Sequence, residues 1–277
     1  MKNKFFVLYI ALFGLMLFQT ACSGYNKVLK SDDYQAKFEL ANEYYDKQQY
    51  ERSVSLFEQV YQRFPKQSEG ELAYFRIGKA YYLGGDFYLG GYFLGEFANR
   101  FPFSPKVEEA TFLSAMCSVN NSPTYSLDQT DTEVGINYLQ QFIDRYPESS
   151  LVDSCNNIID RLRYKLEFKE YEIVKLYSKT QNYRAAVTAA TEFRRTYPIS
   201  KHVEEVSYLL VNDSYLLAKN SIQEKKLERT VETLERYRTF VNEFPSSRYK
   251  RMVESISDLM EKEKQKLDEE KKKEPRK

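Results

Sequence analysis

An aromatic residue followed by proline occurs five times along this chain: Phe64-Pro65, Phe101-Pro102, Tyr146-Pro147, Tyr197-Pro198 and Phe244-Pro245, at intervals of 37, 45, 51 and 47 residues. Four of the five have a phenylalanine four residues upstream (Phe97, Phe142, Phe193, Phe240), and Val60 takes that place in the first. A spacing of four brings two side chains together on one helix face. Proline lacks an N–H and clashes with the preceding turn, so it stops the helix there. A helix stop recurring at this period is the mark of stacked helix pairs rather than of a compact globule. The chain is therefore predicted to be all-α, a tetratricopeptide-like helical-repeat solenoid of about five helix pairs. Such a stack binds more readily than it catalyses.

The first two units define the repeat. Counting back from Pro65, Leu40, Ala41, Tyr44, Tyr50, Ser53, Phe57 and Val60 occupy the offsets that Ile77, Gly78, Tyr81, Phe87, Gly90, Leu94 and Phe97 occupy before Pro102. A small residue (Ala41, Gly78) lets the first helix of a pair, helix A, approach the second, helix B, and an aromatic (Tyr44, Tyr81) fills the space beside it. The A helices of repeats one and two should run from Asp33 to Lys47 and from Glu69 to Leu83. Gly84-Gly85 reads as a tight inter-helix turn and Gly90-Gly91 as a close packing face. Serines after the prolines (Ser104, Ser149, Ser200, Ser246, and Ser68 one residue later) are placed to N-cap the next A helix. Ser68 with Glu71 and Thr130 with Glu133 have capping-box spacing, and Pro105 suits a first helical position. Repeat three carries an insert, Asn120 to Asp131, rich in turn formers. Ser150 to Ser178 contains no proline or glycine and reads as one long helix or two in tandem. Residues 261–277 are nearly all charged and are expected to fray into solvent.

At the N-terminus, Lys2 and Lys4 precede an apolar run from Phe5 to Phe18, too short to span a bilayer comfortably and shaped like a signal peptide. It ends at Gln19-Thr20-Ala21-Cys22, which resembles the bacterial lipobox, with Gln19 where the usual motif has Leu. Cleavage before Cys22 would leave that thiol to carry the lipid, and Ser23 favours outer-membrane sorting. The plan that follows is a signal peptide over 1–21, a lipid-anchored linker over 22–32, repeats one and two over 33–102, repeats three to five over 103–260, and the charged tail. Losing residues 1–21 moves the formal net charge from +1 to −1. A balance so close to neutral argues against nucleic-acid binding.

Catalytic and cofactor motifs are missing from the sequence. His202 is the one histidine and has no ligand-spaced partner, there is no P-loop, dinucleotide or nucleophile-elbow motif, and no Cys/His metal set occurs. No cofactor, metal or enzymatic activity is expected. Cys117 and Cys155 differ by seven residues in helical register, about 10 Å, too far for a disulfide, and read as free buried thiols.

Two stretches go beyond generic repeats: FPFSPKVEEATFL (Phe101–Leu113) and LEFKEYEIVKLYSKTQNYRAAV (Leu166–Val187). With Leu166, Glu170, Ile173, Tyr177, Tyr183, Ala185 and Ala186 on pattern, they resemble the BamD family, the tetratricopeptide lipoprotein of outer-membrane β-barrel assembly. The resemblance runs from Cys22 to about Arg248. Gln181 stands where that family usually has glycine and Leu176 where it has an aromatic, so a different helix turn is expected there. The resemblance implies an outer-membrane lipoprotein facing the periplasm. Its partners would be the membrane-embedded barrel insertase, through that protein's periplasmic domains, and unfolded outer-membrane proteins. A periplasmic adaptor for other envelope or cell-wall machinery shares the architecture, whereas a lipid-anchored glycan-binding protein would need a large extra domain.

The A helices of repeats one and two carry further tyrosines. Tyr45 and Tyr82 lie one residue past the packing tyrosines, rotated about 100° around the helix. Together with Tyr74 they are expected to face an extended peptide, such as the terminal strand of an unfolded barrel protein.

Overall fold

The computed structural model describes residues 24–273, so the segment 1–21 and Cys22 lie outside the described residues. After a helical turn over 24–29 come α1 (Tyr34–Asp46), α2 (Tyr50–Arg63), α3 (Ser68–Gly84), α4 (Phe87–Arg100), α5 (Val107–Asn121) and α6 (Thr130–Arg145). They are followed by α7 (Val152–Lys179), α8 (Tyr183–Thr196), α9 (Val203–Lys219), α10 (Gln223–Glu243) and α11 (Lys250–Lys273). The described residues contain no strand. Two compact units divide after Asp160. The first holds the pairs α1/α2, α3/α4 and α5/α6, each helix packed on the next; the second holds α8 to α11 packed in the same sequential way, and α7 from Arg161. The third pair thus joins the first two, later than the division expected at residues 102/103.

Every aromatic–proline pair ends a B helix in one geometry. Phe64, Phe101, Tyr146, Tyr197 and Phe244 are C-caps with φ between −125° and −129° and ψ between 50° and 63°. Each N–H reaches the carbonyl four residues back. The following proline denies these residues the helical region, and the ring then folds onto the buried phenylalanine one turn upstream. The centroid separations are 5.1 Å for Phe97–Phe101, 5.2 Å for Phe142–Tyr146, 5.2 Å for Phe193–Tyr197 and 5.4 Å for Phe240–Phe244.

The serines after the prolines work differently from the expected caps. The A helices start three residues beyond them, at Val107, Val203 and Lys250, behind caps such as Lys106 and His202 that make no side-chain cap bond. Each serine Oγ instead accepts from the backbone N–H two residues on, and Ser247 rather than Ser246 does so in the last repeat. Three of these hydroxyls also donate to a glutamate of the preceding A helix: Ser104 to Glu71, Ser149 to Glu108 and Ser200 to Glu167, all at 2.6 Å. These latches tie the end of a repeat to its own helix A. Glu71 is therefore engaged by Ser104 rather than by Ser68, which lies inside α3 with Gln67 as its cap. Likewise Thr130 is helical, its N–H held by Asp128 at 2.9 Å, and Pro105 sits in the turn before α5.

The A-to-B turns of three repeats share a left-handed residue: Gln48 (φ 59°), Gly85 (φ 85°) and Gln181 (φ 59°). In each, the next N–H reaches a tyrosine carbonyl five residues back, Tyr44, Tyr81 or Tyr177. Gln181 thus keeps the turn, and the change expected from the missing glycine does not occur. The insert of repeat three is organised around buried Gln129. Its Nε2 donates to the carbonyls of Thr124 and Leu127 at 2.8 and 3.0 Å, while its Oε1 accepts from Thr132 Oγ1 at 2.8 Å. The charged tail, expected to fray, continues α11 to Lys273. Leu267 is buried, and Lys226–Glu263 (3.5 Å) and Gln223–Glu270 (2.9 Å) fasten the tail to α10.

Candidate functional site

In the first unit α4, α5 and α6 enclose an open cleft of about 550 Å³. Glycines create it. Gly90 packs closely, since a Cβ there would lie 3.0 Å from the Tyr82 backbone N and 3.1 Å from Cys117 Sγ. Gly91 and Gly95, one and five residues on, face α5 with more room: a Cβ would meet Cys117 Cβ at 3.3 Å and Ser114 Oγ at 3.4 Å. Ser114 Oγ donates to the Gly91 carbonyl at 3.1 Å, fixing the floor. Above it stand Tyr88 and Tyr92, spaced one turn apart on α4 and 72% and 58% exposed, facing the half-exposed Tyr138 of α6. The Tyr88 hydroxyl reaches Asp131 Oδ2 at 3.4 Å, and Glu96 and Arg145 add charges of both signs to the walls. Aromatic faces with polar tips over a floor of small residues suit an extended chain. The sequence signal lies in two interleaved i,i+4 stripes, Tyr88/Tyr92 and Gly91/Gly95, and reading Gly90-Gly91 as a packing face alone conceals it.

The tyrosines expected to face a peptide are placed otherwise. Tyr74 is core, 4% exposed, wedged against Tyr61 at 4.5 Å and Phe93 at 5.4 Å with the Arg100 guanidinium 5.3 Å from its ring. Burial pushes its hydroxyl up to about 12. The expectation for Tyr74 is thereby overturned, because α3 lies between α2 and α4 and both flanks of that helix are covered. Tyr45 is half-buried against Tyr50, Phe57 and Arg76, its hydroxyl also pushed up to about 12 by burial. Tyr82 is half-buried on Phe87 at 5.8 Å. Neither lines the cleft.

Other chemically active side chains are sequestered. Cys117 and Cys155 are free and buried, and burial raises the Cys117 thiol to about 12. In the second unit His202 stacks on Tyr171 at 4.0 Å, and burial, then Lys201, lowers its pKa. Among the described residues no group of three or more His, Cys, Asp or Glu is placed to hold a metal, and no helix is long and apolar enough to cross a membrane.

The family model for YfiO, described as an outer membrane lipoprotein, matches residues 30–192 and 179–268. This chain belongs to that family. Membership ties it to the outer membrane and to the lipoprotein class. Among curated proteins it is similar to the outer membrane protein assembly factor BamD of Caulobacter vibrioides, 23% identical over 171 residues. The match takes in 62% of this chain but 56% of the relative, so the chain spans about half the length of that protein. Two solved structures of a Podosopora anserina kinesin light chain with TPR-like repeats match at TM-scores of 0.33 and 0.32 and 12% and 14% identity. Each covers 77% of this chain and nearly all of its own, too distant to bear on function.

Proposed function

We propose that this chain is a lipid-anchored periplasmic scaffold of outer-membrane β-barrel protein assembly, carrying its lipid on Cys22. It docks on the barrel insertase through that partner's periplasmic domains and holds segments of unfolded outer-membrane proteins. Family membership and the role for which the relative is named support the assembly context. The observation that carries substrate holding is the cleft of α4–α6, with exposed tyrosines over a glycine floor. A barrel strand alternates aromatic and polar side chains, which such a surface grips by stacking without demanding one sequence. Tyr45 and Tyr82 contribute part-exposed edges to peptide contact, and Tyr74 leaves that set.

The test is binding of a fluorescent peptide with the terminal strand of a barrel protein. Tyr88→Arg with Tyr92→Thr should weaken it about tenfold, equivalent to about 1.4 kcal/mol, with unchanged helicity and melting. Unaltered binding by a folded double variant would remove the cleft from the mechanism. Cys22→Ser should abolish fatty-acid labelling and release the protein from membranes; labelling that persists would refute the anchor.

A further inference from the structure

One edge of the first unit sets a cluster of exposed apolar side chains among polar turn residues such as Lys47, Gln48, Gln49 and Asp86. It is the edge formed by the A-to-B turns. In repeat one Tyr25 is bolted to it: its ring lies 5.3 Å edge-on from Tyr44, its hydroxyl donates to the Arg52 carbonyl at 3.2 Å, and the Arg52 guanidinium sits 5.5 Å from both rings. The turn of repeat two adjoins it, Gly84 lying beside the Tyr50 ring. That turn exposes Leu83, Tyr88 and Leu89, and Tyr88 reaches across to Asp131 at the start of α6. The repeat-three insert adds Tyr125 and Leu127. These five side chains are between 37% and 72% exposed.

We infer that this edge rests on the surface of a lipid bilayer. The inference depends on the reading of Cys22 as lipid-bearing. Two residues, Ser23 and Gly24, separate Cys22 from Tyr25, and three such steps along the chain span at most about 11 Å. A lipid on Cys22 therefore brings the bilayer to within that reach of the edge where Tyr25 is fixed. Tyrosine and leucine at such a level find their preferred interfacial setting, ring or alkyl group among the acyl ends and hydroxyl among the headgroups. The lipid supplies attachment, while the exposed apolar side chains of this edge fix the orientation of repeats one to three on the bilayer. Tyr88 then stands at the rim where the cleft meets the bilayer, with its neighbour Tyr92 over the cleft floor. A strand held in the cleft would lie along the membrane rather than away from it.

The chain contains no tryptophan, so one introduced residue reports its own surroundings. The lipidated full chain would be reconstituted in phosphatidylethanolamine–phosphatidylglycerol vesicles with brominated acyl chains. Tyr88→Trp and Leu89→Trp should be quenched about twofold or more. Phe103→Trp, at the opposite, B-to-A edge where Phe103 is 99% exposed, should keep its emission. If the protein floats with the vesicles but the two edges are quenched equally, or Tyr88→Trp and Leu89→Trp not at all, the lipid-facing edge is wrong and the anchor stands. If the protein fails to float, the anchor reading falls and this inference with it. All three positions are exposed, and helicity by circular dichroism verifies each variant; should Tyr88→Trp unfold, quenching of Leu89→Trp decides the matter alone.

Discussion

Helices α4 and α8 occupy the same place in their repeats, each ending at an aromatic–proline pair, yet they present opposite surfaces. Aligned on Pro102 and Pro198, Tyr88, Gly91, Tyr92 and Gly95 of α4 correspond to Arg184, Val187, Thr188 and Thr191 of α8. Val187 is buried where Gly91 opens a cleft, and exposed arginine and threonine replace the two tyrosines. The inward faces, by contrast, keep the same logic in both: Leu94 and Phe97, or Ala190 and Phe193, fully buried. The repeat thus constrains one helix face tightly and leaves the other free to acquire function.

Even the inward face trades volume between partners. Twenty-four and eight residues before the prolines stand Ala41 and Phe57, then Gly78 and Leu94, then Val174 and Ala190, all buried. A Cβ on Gly78 would lie 2.8 Å from Leu94 Cγ and 3.0 Å from its backbone N, whereas Ala190 leaves room for Val174. Giving repeat two the residue of repeat four should break this fit. Gly78→Val is expected to cost about 3 kcal/mol in chemical denaturation, and adding Leu94→Ala should return part of it instead of deepening the loss. Strictly additive losses would show that the two sites do not exchange volume.

The outward face yields the next largest effect. Gly91→Val with Gly95→Thr, the residues of α8, fills the cleft floor while improving helix propensity, glycine being about 1 kcal/mol worse than alanine in a helix. Peptide affinity should fall about tenfold, or 1.4 kcal/mol, while melting holds or rises. A folded variant that binds normally would place the peptide elsewhere.

Both units bury a titratable group fifteen residues after the proline: Cys117 in α5, Asp213 in α9. Asp213 Oδ1 accepts from Ser178 at 3.0 Å and from Asn212 at 3.2 Å, but Oδ2 has no partner. Burial raises its pKa above 3.8, against the two hydrogen bonds. A carboxyl whose folded pKa is raised contributes stability that is complete below the unfolded value and lost as pH rises through the folded one. At neutral pH it is therefore a cost, while a thiol in the same place stays neutral. Asp213→Asn should gain about 1 kcal/mol at pH 7, the scale of one unsatisfied buried polar atom, and the gain should shrink as pH falls toward 3.8. A pH-independent difference between variant and parent would exclude titration of Asp213 as its origin.

These contrasts also explain what was legible in sequence. The helix stops, the small residue of the first two A helices and the free thiols follow from short spacings, and Gly78 and Gly90 pack as their positions require. The serine–glutamate latches join residues 33 to 41 apart, so local capping rules misplace the serines and Glu71 and give no role to Glu108 or Glu167. Tyr74 failed for a related reason: helix periodicity separates faces but does not say how many neighbours cover them. The α11 extension was missed because its charges match across to α10 rather than along the helix alone.

The smallest expected effect lies in the turns, where repeats two and four again differ. Gly85 and Gln181 both hold the left-handed residue after helix A. A side chain there costs on the order of 1 kcal/mol, so glycine is the better occupant of the folded turn. Glycine also frees the unfolded chain, which takes back about 0.4–1 kcal/mol. The two terms nearly cancel, and Gln181→Gly should stabilise by no more than about 0.5 kcal/mol, with Gly85→Gln destabilising by a similar amount. The pair matters through its signs. Unfolded-state entropy acts on any glycine exchange, whereas turn strain acts only where φ is positive. Opposite shifts of this sense in paired thermal melts would show that turn strain outweighs chain entropy at both positions; the reverse signs, with Gln181→Gly destabilising and Gly85→Gln stabilising, would show that it does not, and that glutamine serves the turn of repeat four better than glycine would.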